Sequence, residues 1–115
     1  ILTIHSRQAV KEVLEIIGHN FRFKPILHWF TGNKDETISA IEAGFYFSVN
    51  EAMMRSKKFM SLLPLIPAER LLLESDSPFI RFKTSHPNAL LKLSESIKEV
   101  KTNVTLWGNF KALLQ

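Results

Sequence analysis

Leu71-Leu72-Leu73-Glu74-Ser75-Asp76 is an apolar run that closes on carboxylates. The same arrangement occurs at Ile1-Leu2-Thr3-Ile4-His5 and at Pro25-Ile26-Leu27-His28, where a histidine closes the run. Short apolar runs of this kind read as buried parallel strands. The polar residue then stands at the C-terminal end of its strand, where α/β proteins assemble their chemistry. Two histidines with an aspartate suit a divalent cation that activates water.

Working outward, helical patterns fill the gaps between these runs. Arg7–Ile17 predicts a helix with Val10, Val13, Leu14 and Ile17 on one face, ended by Gly18. Asn33 is a good N-cap, with Glu36 in capping-box position, for a helix to about Ala43. Phe45–Val49 is rich in aromatic and β-branched residues and predicts a third strand. A helix through Ser56–Leu63 is broken by Pro64 and Pro67 before the strand Arg70–Leu73. Pro87 fits the first turn of a helix whose face is Leu90, Leu93, Ile97 and Val100. A last helix carries Trp107, Phe110 and Leu114.

The strand–helix alternation implies a parallel sheet with right-handed crossovers. His5, His28, Ser48 and Asp76 recur at strand ends in steps of 23, 20 and 28 residues, which are βα-unit lengths. Four such units in 115 residues would double to about 230, close to the ~250 of a (β/α)8 barrel. The competing reading is a small complete doubly wound domain. It lacks the glycine-rich phosphate loop expected there, and residue 1 already lies inside a strand-like run. The expectation is a single domain over residues 1–115 that forms the C-terminal half of a barrel, with the N-terminal half absent.

Composition narrows the classes further. The chain is 45% hydrophobic and 23% charged, which is ordinary for a globular protein. It has no cysteine, which removes disulfides and thiolate metal sites and fits a cytoplasmic protein. No apolar stretch approaches the ~20 residues that cross a membrane. The net charge of +4 is compatible with a phosphate-rich partner and equally with a mildly basic surface.

Each candidate residue has a plain structural reading beside the functional one. A histidine after an apolar run is often simply buried and hydrogen-bonded, yet neighbouring parallel strands bring His5 and His28 together. Asp76 after a buried strand is costly unless paired or metal-bound; the alternative is an Asx-turn before Pro78. Glu74 faces the same side as Asp76 if the strand continues that far, which makes it a candidate supporting residue. Arg7 can pair with a phosphate or be a surface charge in a first helical turn. Ser48 ends the third strand and is expected to line a pocket. Lys57, Lys58 and Lys101 read as solvated helix faces. Trp29 and Phe30 can stack on a base or pack in the core.

Taken together, these stretches resemble the C-terminal half of the TatD family of metal-dependent hydrolases. Ile4-His5-Ser6-Arg7 is similar to its fifth-strand motif, and His28-Trp29-Phe30-Thr31-Gly32 to its His-x-Phe-Thr-Gly motif. Tyr46-Phe47-Ser48 and Ile66-Pro67-x-x-Arg70-Leu71-Leu72-Leu73-Glu74-Ser75-Asp76-Ser77-Pro78 also match in order and spacing. Asn109-Phe110 with Leu113-Leu114 resembles the closing helix. The match is strong over Ile1–Phe79 and thin over Ile80–Asn103. Within the family, Thr3-Ile4-His5-Ser6-Arg7 and Leu27-His28-Trp29-Phe30 look closest to the nuclease component of the bacterial Qat anti-phage system.

The resemblance implies a TIM-barrel fold, a two-metal centre and nuclease activity on DNA. His5 and His28 would be ligands of one metal; Asp76 would bind the other and help activate its water. The residues do not choose among Mg, Mn and Zn. The family's His-x-His pair and bridging Glu have no counterpart here, so this metal centre is incomplete. The segment Arg81-Phe82-Lys83-Thr84-Ser85-His86-Pro87 replaces the family's Asn-, Glu- and Pro-rich stretch. Two other functions stay open: a related hydrolase acting on another ester or amide, and a non-catalytic truncated interaction piece.

Half a barrel would expose two apolar edge strands, Ile1–Ile4 and Arg70–Leu73, which invite pairing with another chain. The chain alone is therefore expected to associate with itself or with the missing half, and to bind metal weakly. Sedimentation with metal titration tests this. A stable monomer with tight stoichiometric metal binding and nuclease activity would mean a complete domain.

Overall fold

The computed structural model describes residues 1–18, 21–76 and 86–115. His19, Ser77, Pro78 and the stretch 81–85 lie outside the described residues. The chain order is β1 (Leu2–His5), α1 (Val10–Ile17), β2 (Pro25–His28), α2 (Lys34–Glu42), β3 (Tyr46–Val49), α3 (Glu51–Arg55) and α4 (Lys57–Leu62). Two short 3₁₀ turns, Leu63–Leu65 and Ala68–Arg70, lead into β4 (Leu71–Leu73), followed by α5 (His86–Val100) and α6 (Leu106–Leu114).

The strands form one parallel sheet in the order β1-β2-β3-β4. Strands consecutive in the chain are neighbours in space, as in a (β/α)8 barrel. A doubly wound sheet would reverse direction at a switch point. The architecture is thus α/β, with the strand sequence of half a barrel, and β1 and β4 are its edges. No helix among the described residues is long and apolar enough to cross a membrane.

Residues alternate between the two faces of this sheet. On one face Ile4, Leu27, Phe47, Val49, Leu71 and Leu73 pack into the main core with the helices. Leu27, Phe47, Val49 and Leu71 are fully buried, and each such side chain contributes about 1.5–3 kcal/mol. On the other face the register aligns Thr3 with Ile26 and Tyr46, then His5 with His28, Ser48 and Leu72. The second row crosses all four strands.

Local chemistry explains the helix boundaries. The expected capping box of α2 is present in both directions: Asn33 accepts from the Glu36 N–H, and Glu36 accepts from the Asn33 N–H. Gly18 closes α1 at φ +65. Helix α1 begins at Val10 rather than Arg7, because Gln8 adopts φ +59, a left-handed conformation that interrupts a right-handed helix. An unanticipated helix, α3, starts at Asn50, whose side chain accepts from the Met53 N–H at 2.9 Å. Ser56 ends α3 and caps α4 through the Phe59 N–H. Gly32 is required by close approach: a Cβ there would stand 2.3 Å from Phe30 Cζ. Phe30 itself lies edge-on to Phe47 at 5.2 Å.

Helix α6 buries Leu106, Asn109 and Leu113, while Trp107, Phe110 and Leu114 are exposed. The polar residue decides this orientation. Asn109 Nδ2 donates to the Ala68 carbonyl at 2.7 Å and to the Leu71 carbonyl at 2.8 Å. On α5, Leu93 and Ile97 are buried, but Val100 is exposed. Two of the lysines read as solvated helix faces also bond to backbone carbonyls. Lys58 Nζ donates to the Thr31 carbonyl at 2.7 Å, and Lys101 Nζ to the Pro64 carbonyl at 2.9 Å. Burial lowers the Lys101 ammonium below its ordinary value, opposed by the charge of Glu69.

Replacing Asn109 by alanine leaves two carbonyls at the β4 edge without this donor. A buried unsatisfied polar group costs about 1–3 kcal/mol. Asn109→Ala is expected to lower the urea midpoint by that order, while exposed Phe110→Ala lowers it less. Equal midpoints for Asn109→Ala and the parent would remove the anchoring role.

Candidate active site

The polar ends of the strands meet because the register brings them there. His28 and Ser48 are direct partners across β2 and β3. Past the sheet the ladder continues, with the Glu74 N–H donating to the Val49 carbonyl at 3.0 Å. Extending that register by one residue sets Asn50 beside Glu74. Glu74 then receives three donors, the Trp29 N–H at 3.2 Å, the Ser48 hydroxyl and Asn50 Nδ2 at 2.9 Å, and its carboxyl also meets His28 Nδ1. An ionised carboxylate offers about four lone-pair sites. Its capacity is used within the protein.

His28 therefore has its Nδ1 against Glu74, and its Nε2 lies 3.1 Å from Asp76 Oδ1. Two donors at that separation can share a cation or a proton. The His5 ring centroid is 5.4 Å from that of His28. The backbone turns sharply just after each of two strand ends: Trp29 has φ +45 and Asp76 φ +50. Aspartate tolerates this region, but a bulky tryptophan does so rarely. The bond from the Trp29 N–H to Glu74 helps hold it there.

These groups lie at one end of a cavity of about 900 Å³ on the inner sheet face. Its polar end is His28, Ser48, Glu74 and Asp76; Ile26, Leu72 and Leu113 supply apolar wall. Trp107 and Phe110, stacked at 5.6 Å, line it from α6.

Of the residues singled out in the sequence, His5, His28, Ser48 and Asp76 come together. Arg7 does not: it is exposed in the turn after β1 and does not line the cavity. Ser48 lines the cavity as expected, but its hydroxyl is engaged with Glu74. Asn50 was not anticipated. The signal was the two-residue period, since Ser48 and Asn50 share a face if the strand is extended. Among the described residues, no group of three His, Asp or Glu side chains forms a metal cage by itself. The donor chemistry fits part of a metal site: the His28 imidazole and the Asp76 carboxylate stand at one cavity end, with the His5 ring beside His28.

A family model described as TatD related DNase matches residues 1–113. The chain is 36% identical over 97 residues to a 3'-5' ssDNA/RNA exonuclease TatD of Edwardsiella piscicida, covering 80% of this chain and 37% of that protein. It is 34% identical over 88 residues to Deoxyribonuclease Tat-D of Schizosaccharomyces pombe, covering 74% of this chain and 28% of the relative. The chain thus spans about a third of the length of these curated relatives. Among solved structures, a hydrolase TatD family protein from Entamoeba histolytica shares the fold. The TM-score is 0.68 at 17% identity, over 96% of this chain and 47% of that one.

Because Glu74 is the shared acceptor for the ends of β2 and β3, its loss strands several donors at once. Glu74→Ala is expected to destabilise by more than a single lost hydrogen bond, which is worth about 0.5–1.5 kcal/mol. Urea unfolding measures it. A change below that range would mean the donors find water instead.

Proposed function

Because the chain belongs to the TatD-related DNase family, we propose that it supplies His5, His28 and Asp76 as ligands to a divalent-metal site that cleaves phosphodiester bonds of DNA. The observation that carries this reading is His28, whose ring stands between Glu74 on one nitrogen and Asp76 on the other. A carboxylate on the second nitrogen is the usual support of a metal-binding imidazole. A bound divalent cation would acidify water and polarise the phosphate.

In this reading His5 and His28 would hold one cation through imidazole nitrogens. Asp76 would hold the other and take the proton of the attacking water. The water oxygen bonds to phosphorus, the ester P–O bond breaks, and the proton passes to the leaving oxygen. Ser48 forms the cavity wall beside them, and Arg7 pairs with a phosphate of the strand outside the cavity. The open β1 and β4 edges support a further barrel half as partner, from another polypeptide segment or a second copy. The lack of cysteine supports a cytoplasmic setting. The wording of Thr3–Arg7 and Leu27–Phe30 supports a place in Qat-type anti-phage defence.

In the active nuclease that carries this sequence, Asp76→Ala is expected to lower metal-dependent turnover on DNA by at least ~10²-fold with the fold retained. Turnover is measured on single- and double-stranded substrates, with circular dichroism as the folding control. Unchanged turnover would remove Asp76 from the proton-handling role.

A further inference from the structure

Behind the candidate ligands lies a second set of polar side chains with no chemical role assigned above. Asn50 is fully buried, and the two atoms of its amide do different work. Its Oδ1 accepts the Met53 N–H at 2.9 Å and starts α3, while its Nδ2 donates to Glu74 Oε1 at 2.9 Å. The Trp29 N–H donates to the same oxygen at 3.2 Å. Both groups can only donate, so Oε1 must accept. The other oxygen, Oε2, faces the Ser48 hydroxyl and His28 Nδ1. If the carboxylate accepts on this side too, a neutral His28 ring carries its proton on Nδ1. Nε2 is then a bare lone pair, 3.1 Å from Asp76 Oδ1. Two acceptors at that range repel unless a cation or a proton lies between them.

We infer that Asn50 is a positioning residue: with the Trp29 N–H and the Ser48 hydroxyl it orients Glu74 so that His28 is held in the Nδ1–H tautomer, its Nε2 lone pair presented toward Asp76. The inference deepens the ligand reading of His28 and depends on it only for metal affinity. The tautomer is a property of the metal-free chain. Because Asn50 also caps α3, it ties a helix start to the electronic state of a ring on another strand.

The donors make a sharp prediction for Glu74→Gln. The Asn50 amide and the Trp29 N–H force the glutamine oxygen to the Oε1 position, so its NH2 faces His28. Nδ1 must then accept, and the proton moves to Nε2. Asn50→Asp keeps a good cap for α3 but replaces the donor with a second carboxylate beside Glu74.

The test is nitrogen NMR of the His28 ring in the metal-free chain, above about pH 8, where an ordinary imidazole is neutral. The parent is expected to show Nδ1–H, Glu74→Gln to show Nε2–H, and Asn50→Asp to lose the single tautomer. Calorimetry with Zn²⁺ alone is the second readout, with affinity falling about 10–100-fold in each variant. A parent ring in the Nε2–H form, or a Glu74→Gln ring unchanged from the parent, overturns the inference. If Asn50→Asp does not fold, Glu74→Gln and Ser48→Ala carry the tautomer test. If the tautomers follow the prediction while Zn²⁺ affinity stays constant, the positioning role stands and the ligand role of His28 falls.

Discussion

Glu74 places a carboxylate behind the ends of three strands, in a part of the molecule largely screened from water, and four polar groups from the ends of β2 and β3 converge on it. The rest of the site depends on that convergence. A buried carboxylate is costly unless its lone pairs are satisfied. Here the satisfaction comes from His28, Trp29, Ser48 and Asn50, so the chemistry of the site and the alignment of the sheet are one constraint. A one-residue slip of β3 against β4 would turn Ser48 and Asn50 to the opposite face and leave Glu74 unmatched. The left-handed backbone at Trp29 belongs to the same constraint, because it aims that residue's N–H at Glu74.

The sheet divides its labour between its two faces. The helix-covered face carries the fully buried Leu27, Phe47, Val49 and Leu71 and supplies most of the apolar burial. The other face is polar at the C-terminal end of the strands and apolar farther down, where Ile26 and Leu72 meet Leu113 of α6. Helix α6 is held against the β4 edge by the Asn109 amide, and Lys24 Nζ donates to the Leu113 carbonyl near its far end at 3.3 Å. That placement turns the stacked Trp107 and Phe110 toward the cavity. One hydroxyl remains without an account: Ser6 Oγ is buried and has no hydrogen-bond partner among the described residues.

Much of the fold was legible because it rests on local rules. Apolar runs of strand length, a capping box at Asn33 and Glu36, and a glycine at the end of α1 each act within a few residues. Their spacing implied parallel order, and the consecutive strand order agrees with a barrel half rather than a doubly wound sheet. The errors came where a distant partner overrides local pattern. The last helix was legible as an element but its buried face was not, because two backbone carbonyls 38 and 41 residues away turn Asn109 inward. Gln8 looked helical, but its left-handed conformation delays α1 and leaves Arg7 in an exposed turn.

The sequence by itself determined the strand ends and the residue types that close them, because hydrophobic runs and cap chemistry need no distant partner. It also placed His5, His28 and Ser48 at equivalent positions in successive βα units, whereas Asp76 lies beyond the end of β4. Tertiary structure decided how those residues divide the work. Glu74 and Asp76 are two residues apart and both are carboxylates, yet Glu74 is saturated by donors from β2 and β3 while Asp76 faces His28 Nε2. Asn50 acquires its part only when β3 and β4 lie in register. The physical reason is that a carboxylate's role follows from which lone pairs are already taken, and those partners lie 24 to 46 residues away along the chain.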